Sequence, residues 1–121
     1  KNKITIVHNL QKLNILGNMF FWTKKFCAPD DIVVVVDADD ALIGRQTLKI
    51  LNSVYENPNI WYAYSSYINM NPKSKFIDKG DQTDYLQFKT SDYRVSFKWQ
   101  TSHLRTFRRK LVDSLPISTI I

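Results

Sequence analysis

Three carboxylates lie within four positions of the sequence, at Asp37, Asp39 and Asp40, and we call residues 37–40 the acidic motif. Like charges this close repel one another unless they are hydrated, hydrogen-bonded or bound to a cation. Carboxylate oxygens are the ligands that hard divalent cations prefer, and such cations commonly serve phosphate groups. The spacing therefore indicates a divalent metal site. A polar turn with a helix N-cap is the alternative reading of the same residues.

The residues just before the acidic motif predict the element that carries it. Positions 32–36 read Ile-Val-Val-Val-Val, an uninterrupted β-branched run. Five such residues favour a strand over a buried helical segment, because β-branched side chains fit a pleated surface best. A continuous apolar run is typical of a strand buried on both faces of a parallel sheet. Ligands of open α/β sheets bind beyond the carboxyl ends of the strands, where the aspartates would lie.

The rest of the chain predicts helices and strands in alternation. A strand, a helix and a second strand in succession form a βαβ unit with parallel strands. We therefore expect an α/β fold with a mostly parallel sheet flanked by helices. The elements expected in chain order are a strand at 4–7, a helix at 10–26, the Val-rich strand, a helix at 46–57, strands at 60–68 and 93–99, and a helix at 103–112.

The composition fits one modest domain, spanning 1–121, with a basic surface. The net charge is +6, which favours anionic partners such as phosphates, nucleic acid or acidic lipid. The positive charge is concentrated in the segment 94–110. No apolar stretch approaches the roughly 18 to 20 residues of a membrane span, so we expect no transmembrane segment in this chain. The compartment stays open, with the cytoplasm slightly favoured.

The predicted helix at 103–112 carries basic residues whose roles the pattern leaves open. Arg108 falls near the middle of its apolar stripe. A charge there either extends its head to water or pairs with an acid of the central rim or a phosphate. Arg105 and Arg109 lie on a flank and suit either solvated charge or a phosphate clamp.

Three segments, taken together and in this order, resemble a known family. Residues 31–42 read Asp-Ile-Val-Val-Val-Val-Asp-Ala-Asp-Asp-Ala-Leu, residues 61–64 read Trp-Tyr-Ala-Tyr, and residues 99–108 read Trp-Gln-Thr-Ser-His-Leu-Arg-Thr-Phe-Arg. They resemble the middle of a family 2 glycosyltransferase of the Rossmann-like GT-A fold. The resemblance extends over roughly residues 9 to 115.

The resemblance implies transfer of a sugar from a nucleotide-diphosphate sugar, usually with inversion. The expected donor is a UDP-sugar, and the acceptor is an unknown glycan, protein or lipid. In such enzymes the Asp-x-Asp carboxylates hold Mn²⁺ or Mg²⁺ on the donor diphosphate. Carried over, Asp39 is the expected direct metal ligand, Asp37 contacts the metal and the donor sugar or ribose, and Asp40 supports the site from the turn.

Three further residues follow from the same resemblance, and a fourth, Arg108, follows from its position in the predicted helix. Lys12 and Asn18 lie where this family often places donor-contacting residues, although Lys12 also suits a solvated surface. His103 is either a third metal ligand, a donor-phosphate contact or a surface histidine near a helix N-terminus. Arg108 is expected to contact the donor.

The chain also departs from the family's pattern. A complete GT-A domain normally has about twice this length, so the chain corresponds to its central part, apparently without the nucleoside-binding start and the acceptor-binding end. Inversion needs a carboxylate that deprotonates the acceptor, and the catalytic residues are therefore unknown. Asp113 is the only late candidate, and it is a weak one. Whether the chain is active by itself is left open.

Two other functions compete with this interpretation. A basic nucleic-acid-binding module is suggested by the Arg/Lys-rich segment 94–110 with its interleaved aromatic residues, although the acidic motif would repel a polyanion. We therefore expect no nucleic-acid partner. A phosphoryl-transfer domain would also place Asp-x-Asp at a strand end, with Asp37 as the nucleophile, but no other residue supports it.

Overall fold

The computed structural model describes residues 4–70, 77–79 and 103–116. The expected strand at 93–99 lies outside these residues. No strand forms at 4–7. The described elements, in chain order, are α1 (Ile15–Phe26), β1 (Ile32–Val35), α2 (Thr47–Tyr55), β2 (Tyr62–Ser65), β3 (Ile68–Met70), β4 (Ile77–Lys79), β5 (His103–Arg108) and a 3₁₀ helix (Arg109–Ser114).

The main sheet has three strands in the order β1-β5-β2, and β5 runs antiparallel to both neighbours. The prediction of a mostly parallel, Rossmann-like GT-A sheet is therefore wrong. The prediction fails because β5 lies between β1 and β2. Each of these two strands pairs with β5, and they do not pair with each other. A βαβ unit built on residues 4–7 is also excluded, because those residues form no strand. The strands β3 and β4 form a separate antiparallel pair.

The prediction of a helix at 103–112 is also wrong, because β5 occupies residues 103–108. The apolar spacing of Leu104, Phe107 and Leu111 matches a helix, but residues 103–108 are the central strand of the sheet. Hydrogen bonds to two neighbouring strands outweigh this local pattern, because strand preference depends on tertiary pairing. Only the residues after Arg108 become helical, as the short 3₁₀ helix.

The helix α1 confirms the central part of the helix predicted at 10–26. The side chain of Asn14 caps it by accepting a 2.6 Å hydrogen bond from the Gly17 N–H. Its buried Phe20 packs with Phe107 and Val112 in the core on one face of the sheet. Val33 and Val35 of β1 pack against the same cluster, so we call this side the α1 face.

The opposite side of β5 packs on α2, and we call it the α2 face. Thr106 is fully buried there, and its hydroxyl lies 2.8 Å from the Tyr55 hydroxyl of α2. The Thr106 hydroxyl also donates to the Ala63 carbonyl of β2, at 2.9 Å. The residues of β1 are half-buried, so the expectation of a strand buried on both faces is wrong.

Within the ranges 4–70, 77–79 and 103–116, no helix combines the length and the apolar character that a bilayer span needs. For these residues the finding agrees with the expectation that the chain contains no transmembrane segment.

Candidate metal site

Two carboxylates of the acidic motif converge with one imidazole at the carboxyl end of β1. Asp37, Asp40 and His103 each offer a ligand atom, and these atoms all lie within 4.8 Å of one another. We call these three residues the Asp/Asp/His cluster. It is the one group of at least three potential metal ligands within the described ranges.

A tight turn brings the two carboxylates of the cluster together. The Asp40 N–H donates a 3.0 Å hydrogen bond to the Asp37 carbonyl. This bond closes a turn in which Ala38 and Asp39 are the central residues. The first and fourth residues of such a turn are brought close, which is why Asp40 joins Asp37.

The register of the sheet supplies the histidine. Val35, the last residue of β1, is the partner of Arg105 in β5; Asp37 follows Val35 by two positions, and His103 precedes Arg105 by two. Side chains two apart share one face of a regular strand, which places Arg105 and Phe107 together on the α1 face. The His103 Nδ1 lies 3.3 Å from the Asp40 Oδ2. The Tyr67 ring meets the imidazole edge to face, with centroids 5.1 Å apart.

The donor types suit a divalent cation, and their separations come close to those that one cation requires. Two ligands bound at about 2.1 Å lie about 3 Å apart when adjacent and about 4.2 Å apart when opposite. The 3.3 Å separation of His103 and Asp40 is close to the first value, and the 4.8 Å limit of the group is slightly above the second. Two carboxylates with one imidazole suit Mn²⁺, which accepts both oxygen and nitrogen, while Mg²⁺ prefers oxygen alone.

The cluster is open to solvent on one side. The side chains of Asp37, Asp40 and His103 are 44%, 42% and 34% exposed. A cation held there would keep coordination positions for water or for the oxygens of a ligand.

A guanidinium also lies at the cluster. One nitrogen of Arg105, Nη2, donates to both oxygens of Asp37, at 2.8 and 3.1 Å. The Arg105 Nε is buried and has no hydrogen-bond partner. The Arg105 charge offsets that of Asp37, so with a neutral imidazole the four side chains together carry one net negative charge.

The structure leaves Asp39 outside the Asp/Asp/His cluster. It is an exposed central residue of the turn that Asp37 and Asp40 begin and end. Direct ligation by Asp39 stays a prediction, and the geometry favours Asp40.

The two predicted donor contacts near α1 have other surroundings. The Asn18 side chain donates to the Leu13 and Asn14 carbonyls, at 3.3 and 3.1 Å, and accepts a 2.7 Å hydrogen bond from Asn9. It thus holds the preceding chain against the start of α1. Lys12 is exposed in that preceding segment. Their contacts with a donor stay predictions.

Arg108 lies at the other end of β5 from the cluster. It is the partner of Ile32, the first residue of β1, whereas the carboxylates follow the last. Its guanidinium is only 9% exposed and donates to the carbonyls of Tyr55, Asn57 and Ile60, at 2.6, 3.2 and 2.9 Å. The C-terminal end of α2 carries negative partial charge, which compensates the buried cation. The arrangement supports a structural role rather than contact with a donor at the acidic motif.

Two residues of the site carry more weight in the structure than in the sequence interpretation. Asp40 was expected only to support the turn, and Arg105 was assigned to solvated charge or a phosphate clamp. A strand at 103–108 would have placed His103 and Arg105 on one face, but the helical apolar spacing concealed this alternation.

Comparisons with protein-family models, with curated proteins and with solved structures give no match for this chain.

Proposed function

We propose that the chain binds Mn²⁺ or Mg²⁺ at Asp37, Asp40 and His103 in order to hold the diphosphate of a nucleotide sugar for glycosyl transfer. The single observation that carries this proposal is the convergence of two carboxylates and one imidazole at the end of β1. The resemblance of residues 31–42 and 99–108 to family 2 glycosyltransferases supplies the substrate class.

The chemistry of the donor explains why a cation is useful. As the bond to the sugar breaks, negative charge develops on the departing nucleotide diphosphate, and a bound divalent cation stabilises that charge. Asp37 and Asp40, in the turn after β1, and His103, at the start of β5, would fix the position of the cation. Their partial exposure leaves room for diphosphate oxygens.

The proposal covers donor binding and leaves the general base open. Asp113, the late candidate for that role, accepts hydrogen bonds from Arg109 Nη1 at 2.8 and 2.9 Å. Lys24 lies 3.2 Å from the same carboxylate. The Asp113 carboxylate is thus engaged by two cationic side chains of the chain itself, so the structure gives no support for Asp113 as the base.

The alternative of a nucleic-acid-binding module has less support from the described residues. Four basic residues of the segment 94–110 are described beyond His103, and each has an intramolecular partner: Arg105 with Asp37, Arg108 with carbonyls, Arg109 with Asp113, and Lys110 with Asp30. Basic side chains that already pair within the chain are less available to the phosphates of a polyanion.

A thermal-shift experiment with UDP, in the presence and absence of Mn²⁺, tests the proposal. We expect the wild type to melt several degrees higher when both are present, because a ligand that binds only the native state stabilises it. Asp40→Asn and His103→Asn should lose that increase. Asp30→Asn is the matched control, since Asp30 is an exposed carboxylate that pairs with Lys110 instead.

The activity itself is tested by UDP release from UDP-sugars in the presence of Mn²⁺. Slow hydrolysis of one donor that Asp40→Asn abolishes would support glycosyl transfer. An increase in melting temperature that needs no Mn²⁺ and survives both cluster substitutions would refute the metal-dependent site.

A further inference from the structure

The ion pair between Arg105 and Asp37 occupies a ligand of the cation site. Nη2 of Arg105 donates to both Asp37 oxygens, at 2.8 and 3.1 Å. A cation bound to the same carboxylate would lie within a few ångströms of the guanidinium, and the two positive charges would repel each other. The cation and Arg105 therefore compete for Asp37.

We propose that Arg105 exchanges Asp37 for the donor diphosphate when the cation binds. Arg105 then binds the anionic diphosphate, so that binding of the cation favours binding of the nucleotide. This inference rests on the proposed function, since it assigns a role at the same site to a residue that the resemblance does not single out.

The charges of the site support the exchange. Without a cation, Arg105 balances Asp37, and the Asp/Asp/His cluster with Arg105 has one net negative charge when the imidazole is neutral. A divalent cation reverses this to one net positive charge. A nucleoside diphosphate supplies the negative charge that offsets this. The Arg105 side chain, released from Asp37, is then available to bind it.

The position of Arg105 makes the exchange a small movement. Arg105 contacts Asp37, and His103 lies 3.3 Å from Asp40, so both side chains reach the turn that carries the two carboxylates. The Arg105 side chain is 29% exposed although its Nε is buried, so part of it faces solvent beside the carboxylates. The guanidinium uses one of its nitrogens on Asp37, and its planar fork can bind two phosphate oxygens side by side.

The exchange predicts two opposite effects of Arg105→Gln. Binding of Mn²⁺ alone should become tighter, on the order of tenfold, because the competing positive charge is removed. Binding of UDP in saturating Mn²⁺ should become weaker, by about tenfold or more, because the charged hydrogen bonds to the diphosphate are lost. Free Mn²⁺ measured by electron paramagnetic resonance gives the first affinity, and isothermal titration calorimetry with UDP gives the second.

Two further variants make this test specific. Arg105→Lys keeps the charge but loses the planar fork, so Mn²⁺ affinity should stay near that of the wild type while UDP affinity falls. Lys110→Gln removes the same charge and breaks an ion pair with Asp30, beyond the far end of β5, and should change neither affinity.

Several outcomes would overturn the exchange. A parallel loss of both affinities in Arg105→Gln would mean that the residue only supports the structure of the site. Wild-type UDP affinity in Arg105→Lys would contradict the role of the fork, and this variant decides the question if Arg105→Gln does not fold. If the wild type binds Mn²⁺ and UDP together but the Arg105 variants give either of these two results, the exchange is wrong and the proposed function stands. If the wild type binds neither Mn²⁺ nor UDP, the proposed function fails with it.

Discussion

Arg108 shows at the scale of one residue how a charge can be buried without a carboxylate. Its guanidinium donates to three main-chain carbonyls around the end of α2 and lies 5.3 Å from the centre of the Tyr55 ring. The side chain thus joins the end of α2, the start of β2 and the end of β5. Its position in the apolar pattern of the sequence indicated a special role, but the partners are carbonyls, which carry no sequence signal.

Replacing Arg108 by Met should therefore reduce stability and leave the metal site unchanged. We expect a loss on the order of 3 kcal/mol in the free energy of unfolding, because buried carbonyls lose charged hydrogen-bond donors. Urea denaturation measures this loss. Arg45→Met, which changes an exposed arginine, is the control and should stay within about 0.5 kcal/mol of the wild type.

The Mn²⁺ affinity of folded Arg108→Met should equal that of the wild type. A tenfold loss of Mn²⁺ or UDP affinity without a loss of stability would instead restore Arg108 to the donor contact expected from the sequence.

At the scale of elements, the positions of α1, α2 and β1 could be predicted from the sequence, and that of β5 could not. Helix α1, helix α2 and the Val-rich strand have clear local signals, and all three form near their predicted positions. The strand β5 has no such signal, because its spacing of Leu104, Phe107 and Leu111 also fits a helix. Its pairing with β1 and β2 is a tertiary effect that a single sequence does not reveal.

The candidate site was predictable to a similar extent. The acidic motif could be named because its residue types are suited to metal binding, and His103 could be named because of the family resemblance. That Asp40 joins the cluster depends on the turn hydrogen bond to Asp37, and the role of Arg105 depends on the strand register. Neither geometry follows from residue types alone.

The contact between β5 and α2 can be tested with a double-mutant cycle on Thr106 and Tyr55. Thr106→Val should cost about 1 to 3 kcal/mol, because it leaves the buried Tyr55 hydroxyl and the Ala63 carbonyl without their partner. Tyr55→Phe should cost less, since Thr106 keeps its hydrogen bond to the Ala63 carbonyl. The double variant should be more stable than the sum of the two losses predicts, by about 0.5 kcal/mol or more. Additive losses in thermal or urea denaturation would show that the two hydroxyls do not interact.

At the scale of the whole molecule, the few buried hydrophobic side chains of the described residues leave a stabilising role for contacts such as the Asp/Asp/His cluster. Only four hydrophobic side chains among the described residues are buried: Phe20, Tyr55, Phe107 and Val112. The Asp/Asp/His cluster joins the loop after β1 to the start of β5, and the neighbouring Arg105 and Asp37 are 68 positions apart in the sequence. A cation held across so long a separation should restrict the opening of the sheet, because it closes a long loop.

Hydrogen exchange measures this effect. Saturating Mn²⁺ should slow exchange of the β5 amides in the wild type, including that of Arg108, which donates to the Trp61 carbonyl. Amides near the centre of α1 should change less. In Asp40→Asn, Mn²⁺ should have no effect on β5. Equal slowing in wild type and variant would mean that the cation binds elsewhere.

The register of β5 has a consequence for how this chain can change in evolution. The roles of residues 105–108 depend on whether a position is odd or even: Arg105 and Phe107 lie on the α1 face, and Thr106 and Arg108 face α2. Inserting one residue within β5 would exchange the two sets and place an arginine where Thr106 is now fully buried. Length variation among relatives should therefore be rare inside β5, and insertions that do persist there should come in pairs.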